Sequence, residues 1–91
     1  MSNTPTSHDA KTLRELLTKL RHDKKIQQNE LAKILNRPQS FISKYENGER
    51  RLEFIEVIKI CHALNIAPEL FLREYLNLIQ QNNSPDIKWI K

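Results

Sequence analysis

The sequence predicts an all-α fold, a compact five-helix domain followed by a short C-terminal tail, and three observations carry that prediction. Apolar residues recur at helical spacing along most of the 91-residue chain. The stretches between these stripes hold Asn, Gly or Pro where a helix would stop. No run alternates apolar and polar residues in the way a half-buried strand does.

The elements follow in order. Leu13, Leu16, Leu17 and Leu20 form the i, i+3, i+4, i+7 stripe of a first helix from about Ala10 to Lys24, with Asp9 as its expected N-cap. A second, short helix runs from Gln28 to Leu35, and Leu31, Ile34 and Leu35 are its expected core face. Asn36-Arg37-Pro38 stops it, because Asn tolerates the left-handed conformation and Pro suits the first turn of the next helix. The third helix ends near Asn47-Gly48. A fourth covers about Leu52 to Leu64, with Ile55, Ile58, Cys61 and Leu64 pointing inward, and Asn65 ends it. Pro68 opens a fifth helix reaching about Gln81, where Asn82–Pro85 breaks it. Residues 1–9 read as a flexible segment, 10–81 as one domain, and 82–91 as a tail that is either a strand or loose.

Composition narrows the function classes. At this length a second independent core is not expected. No apolar run approaches the roughly 20 residues that span a bilayer, and the first residues lack the basic and apolar regions of a secretory signal. One cysteine makes no internal disulfide, which fits a cytoplasmic setting. Residues 1–51 carry 11 basic against 6 acidic side chains, whereas residues 52–91 carry 4 against 5. The positive half is suited to a polyanion.

Helices two and three are the informative pair, two short helices joined by a three-residue turn. The stretch QQNELAKILNRPQSFISKYENGERR resembles the helix-turn-helix of the lambda-repressor-like, or Cro/XRE, family of DNA-binding regulators. LRELLTKLRHDKK and LEFIEVIKICHALNIAPELFL fit the family's first, fourth and fifth helices, so the likeness spans about Leu13 to Leu72. Ala32 is small where the two helices would cross, and Asn36 stands where the family usually has glycine. Arg37 and Lys25 depart from the pattern, Lys25 replacing a frequent glycine before helix two.

On a wheel of about 100° per residue, Gln39, Ser43, Asn47, Ser40 and Lys44 share one arc of helix three, and Phe41, Tyr45, Pro38 and Ile42 share the opposite one. Gln39, Ser40, Ser43 and Lys44 are therefore the candidate base-reading residues; Gln can bond adenine bidentately and Lys can reach guanine. Gln28, at a helix N-terminus suited to a phosphate, joins Arg37, Asn47, Arg50 and Arg51 as candidate phosphate contacts. Glu46 lies between the two arcs. The resemblance implies that it pairs with Arg21 of helix one and orients helix three.

Helix five carries more apolar surface than one intramolecular face would use. Leu72, Tyr75, Leu76 and Ile79, with Trp89 of the tail, are the candidate homodimer interface. Such a dimer would set its recognition helices roughly 34 Å apart and read an inverted repeat of double-stranded DNA. The resemblance implies a homodimeric, sequence-specific regulator, a repressor at a palindromic operator. The alternative is an antitoxin of the HipB and HigA type, holding a toxin protein through the Trp89 tail while also binding DNA.

No cofactor, metal or membrane partner is expected. His8, His22 and His62 lack ligand spacing, Cys61 reads as a small buried thiol, and no catalytic arrangement assembles, so the chain is not expected to be an enzyme. The first nine residues hold no Arg or Lys and do not suit a minor-groove arm.

Overall fold

The computed structural model describes residues 8–81. Within them the chain forms α1 (His8–Asp23), α2 (Gln28–Leu35), α3 (Gln39–Glu46), α4 (Phe54–Ala63) and α5 (Pro68–Gln81), and there is no strand among the described residues. Trp89 and the rest of the tail lie outside this range.

One device ends each of the first four helices. Lys25, Asn36, Gly48 and Asn65 all take positive φ, at 59°, 57°, 83° and 62°. In each case the left-handed residue donates its N–H three residues back, and its successor donates five residues back. Two carbonyls that would otherwise be orphaned at the helix end are thus satisfied. Asn and Gly suit this conformation, whereas Lys25 adopts it with no side-chain advantage. The loop before α2 therefore keeps its shape without the expected glycine.

Two of the helix starts, those of α2 and α4, are set by side chains that reach back to the backbone. Gln27 caps α2 in a reciprocal box with Glu30, whose Oε1 accepts the Gln27 N–H at 2.7 Å. Glu53 and Glu56 do the same for α4, the Glu53 N–H lying 2.8 Å from Glu56 Oε1. That box moves the start of α4 from the expected Leu52 to Phe54. In α1 the helix begins at His8, so Asp9 is not its N-cap but a buried residue of the first turn.

The core gathers Leu16 and Leu17 from α1, Leu31 and Ala32 from α2, Phe41, Ile42 and Tyr45 from α3, Ile60, Cys61 and Leu64 from α4 and its end, and Phe71 from α5. Three expected core positions, Ile34, Ile55 and Ile58, are not in it, the half-buried Ile58 lying instead in the wall of an apolar groove. Ile34 is 58% exposed and Ile55 53% exposed. The inward face of α4 runs through Val57, Ile60, Cys61 and Leu64 instead. A strict three-residue step from Ile55 falls behind the 3.6-residue turn, and the packed face passes to Ile60.

Candidate nucleic-acid interface

The short helix α3 is anchored on one side and bare on the other. Phe41, Ile42 and Tyr45 are buried, while Gln39, Ser40 and Lys44 are exposed and Ser43 is half-buried. The four candidate base readers therefore share the outward side of a helix whose opposite side is core. Asn47 follows them, exposed, just past the last helical turn.

A polar chain fixes this helix to the rest of the domain. Arg21 Nε donates to Glu46 Oε2 at 2.7 Å and its Nη2 to Oε1 at 3.0 Å. The same guanidinium donates through Nη1 to the Ile26 carbonyl at 2.8 Å. Arg21 and Glu46 side chains are 7% and 6% exposed, so the pair is shielded from water. Gln28 Nε2 then donates to Glu46 Oε1 at 2.9 Å, and Gln39 Nε2 lies 3.4 Å from Gln28 Oε1. Four residues of α1, α2 and α3 thus lead from the interior to the first residue of the exposed edge. Gln28 spends its amide within this chain, with its side chain at the start of α2.

A second cluster, which sequence reasoning missed, holds the turn before α3 and the loop after it. Glu56 of α4 receives Arg50 through two bonds of 2.9 and 3.0 Å and stands 3.5 Å from Arg37. Both guanidiniums cover the Phe41 ring, at 3.9 Å for Arg37 and 4.8 Å for Arg50. The Arg50 hydrogen bonds hold the Glu56 carboxyl at about 2, well below the usual carboxylate range, against the opposing effect of its burial. Glu56 in turn raises the Arg50 pKa. No sequence spacing announces this cluster, since its members come from three separate segments. Of the arginines expected at phosphate, Arg50 and Arg37 are engaged with Glu56, whereas the exposed Arg51 side chain has no partner among the described residues.

The residues expected at a dimer contact separate. Leu72 is 49% exposed, and Tyr75 and Leu76 are half-buried. The Tyr75 hydroxyl donates to the Asp9 carbonyl at 2.9 Å, tying α5 to the start of α1. Ile79 is fully buried within the chain, so it is not available to a second copy. Seven residues apart on α5, Leu72 and Ile79 lie within about 20° of each other on the helix wheel, so one face is open at Leu72 and closed at Ile79. Trp89, which carried the toxin-partner alternative, lies outside the described residues. Leu72 instead borders an apolar groove of about 400 Å³, with Leu13, Leu52, Phe54, Phe71 and Tyr75 among its walls. Phe54 is 79% exposed at its edge.

The family model described as "Helix-turn-helix" matches residues 17–71, more than half of the chain. An XRE-family like protein from Pseudomonas syringae pv. tomato str. DC3000 is 40% identical, covers 77% of this chain and 85% of its own, and superposes with a TM-score of 0.73. The chain belongs to the XRE family of helix-turn-helix, DNA-binding transcription regulators. It is accordingly a regulator and not an enzyme. Two further solved structures share the XRE fold at 23% identity. One is the restriction-modification controller protein C.Esp1396I, solved as a tetramer in complex with its natural 35 base-pair operator; it covers 82% of this chain and 99% of its own with a TM-score of 0.76. The other is the clp gene regulator ClgR from Corynebacterium glutamicum, covering 82% and 80% with a TM-score of 0.71. No curated protein sequence matches the chain. Among the described residues no acidic, His or Cys cluster could hold a metal ion, and no helix is long and apolar enough to cross a membrane.

Proposed function

We propose that this XRE-family protein is a homodimeric transcriptional repressor that lays α3 in the major groove of an inverted-repeat operator. The observation that carries the reading is the exposed edge of Gln39, Ser40, Ser43 and Lys44 on a helix locked by the Arg21–Glu46–Gln28 chain. A rigid, low-bulk polar edge can approach base edges closely. Gln39 offers a paired donor and acceptor to adenine, and Lys44 donates to guanine or to a phosphate. Gln28 orients Gln39 and lies where α2's first turn meets the backbone.

Arg51 and Asn47 are the leading phosphate contacts, being exposed and outside the ion pairs. Arg37 and Arg50 support them by holding the flanking turns through Glu56, with more than a third of each side chain still open to solvent. The second protomer is supported by the apolar groove beside Leu72, Tyr75 and the exposed Phe54, with Leu76 nearby on α5. A twofold contact there would place the same patch on both partners.

Selection of bound duplexes from random DNA with the purified protein tests this reading. A consensus of two inverted half-sites, about one helical turn apart, is expected. Recovery of no enriched sequence would overturn sequence-specific recognition.

A further inference from the structure

Beside the C-terminal end of α3 lies a cleft of about 270 Å³ between α1 and the loop that leads to α4. Arg14, Arg50 and Arg51 line it, and no acidic side chain does. Glu56 answers the charge of Arg50. Arg14 and Arg51 make no ion pair among the described residues. Two uncompensated guanidiniums at one small cleft repel each other, and that repulsion becomes attraction when an anion enters.

The cleft is also shaped. A Cβ added at Gly48 would lie 2.8 Å from Arg14 Cζ, so the bare glycine backbone is the seat of the half-buried Arg14 head. Tyr45 forms part of the wall, and its hydroxyl is buried without a hydrogen-bond partner among the described residues. A carboxylate presents two oxygens in one plane, whereas a phosphate presents oxygens in several directions. Arginine forks approaching from a helix and from a loop suit the phosphate.

We propose that this cleft binds a phosphate group, gripped by Arg14 of α1 together with Arg51 of the α3–α4 loop. Its source is either the DNA backbone or a free phosphate-bearing ligand. For the DNA source the proposal rests on the regulator reading above, and it adds Arg14 as a contact outside the helix-turn-helix pair.

Gly48 is the only glycine in the chain. Labelling with [15N]glycine therefore yields a single amide resonance from the wall of the cleft. Titration of the full chain with inorganic phosphate, against chloride at matched ionic strength, is expected to shift that resonance saturably with phosphate alone. Arg14→Gln and Arg51→Gln should each abolish the shift, with thermal unfolding showing that both remain folded. On DNA, Arg14→Gln should weaken operator and random duplex equally, by roughly 3- to 10-fold, and reduce the salt slope by about 0.9.

Saturating DNA that blocks the phosphate shift, or a reduced salt slope with no shift by free phosphate, assigns the cleft to the DNA backbone. A phosphate shift that persists on saturated DNA assigns it to a free ligand. Equal response to phosphate and chloride, together with an unchanged salt slope in Arg14→Gln, would overturn the site. A protein that binds no duplex at all would refute DNA recognition, and the phosphate titration alone would then decide the cleft.

Discussion

Replacing Arg21 with Met removes three donors at once from a site that water does not reach. Its guanidinium holds both Glu46 oxygens at 2.7 and 3.0 Å and the Ile26 carbonyl at 2.8 Å. The Glu46 carboxylate, 6% exposed, would keep only the Gln28 amide as partner. Leaving one member of a buried pair uncompensated costs about 3–5 kcal/mol. At roughly 0.05–0.15 kcal/mol per residue, the whole chain is stable by about 5–14 kcal/mol, so the single change removes a large share of it. Glu46→Leu strands the arginine instead, though Arg21 retains the Ile26 carbonyl.

The double variant Arg21→Met, Glu46→Leu strands no charge. It leaves the Ile26 carbonyl and the half-buried Gln28 amide to find other partners, at about 1–3 kcal/mol in all. The double change should therefore be far milder than the sum of the singles, with a coupling energy of about 2–4 kcal/mol. Urea unfolding of all four proteins, followed by far-UV circular dichroism, measures it. A coupling below about 0.5 kcal/mol would refute the claim that Arg21 and Glu46 act as one unit.

Three further outcomes are expected. Glu56→Gln should cost about 1–2 kcal/mol at neutral pH, less than the roughly 3 kcal/mol the full shift implies, because both arginines are over one-third exposed and solvent screens them. The folded carboxyl sits below its unfolded value of 4.5, so the stabilisation is complete above that pH and lost as pH falls towards 2; a wild-type-minus-variant difference that stays constant across this window would contradict it. Lys25→Gly should raise stability by about 0.5–1 kcal/mol, since Gly takes the left-handed conformation without the steric cost and the exposed Lys25 side chain packs against little; a lower melting temperature would show that Lys25 carries no strain. Gln39→Ala and Lys44→Ala should each weaken operator binding about 5- to 100-fold, at roughly 1–3 kcal/mol per base contact, and random-DNA binding much less; equal losses on both DNAs, read by anisotropy at fixed salt, would remove them from the base-reading edge.

The elements were legible in the sequence because their signals are local. Asn36, Gly48 and Asn65 announce left-handed helix ends by residue type, and the two arcs of α3 follow from spacing alone. Lys25 takes the same conformation with no such signal, because the ends of α1 and α2 impose it on whatever residue is there. Ile34, Ile55 and Ile79 mark the limit of periodicity. A stripe says which residues share a face, but not where the packed arc ends, and the inward arc of α4 runs through Val57, Ile60 and Cys61 rather than through Ile55 and Ile58.

What the sequence determined by itself is the order of five helices, the helix-turn-helix pair and the polar edge of α3, all properties of neighbours along the chain. Only the tertiary structure decided what the charges do. Arg37, Arg50 and Glu56 meet because three segments converge on Phe41, and that convergence engages two arginines that composition alone would send to DNA. Arg14 acquires its seat because α1 passes the bare backbone of Gly48. An ion pair depends on distances of a few ångströms between residues far apart in sequence, and those distances exist only once the core has closed.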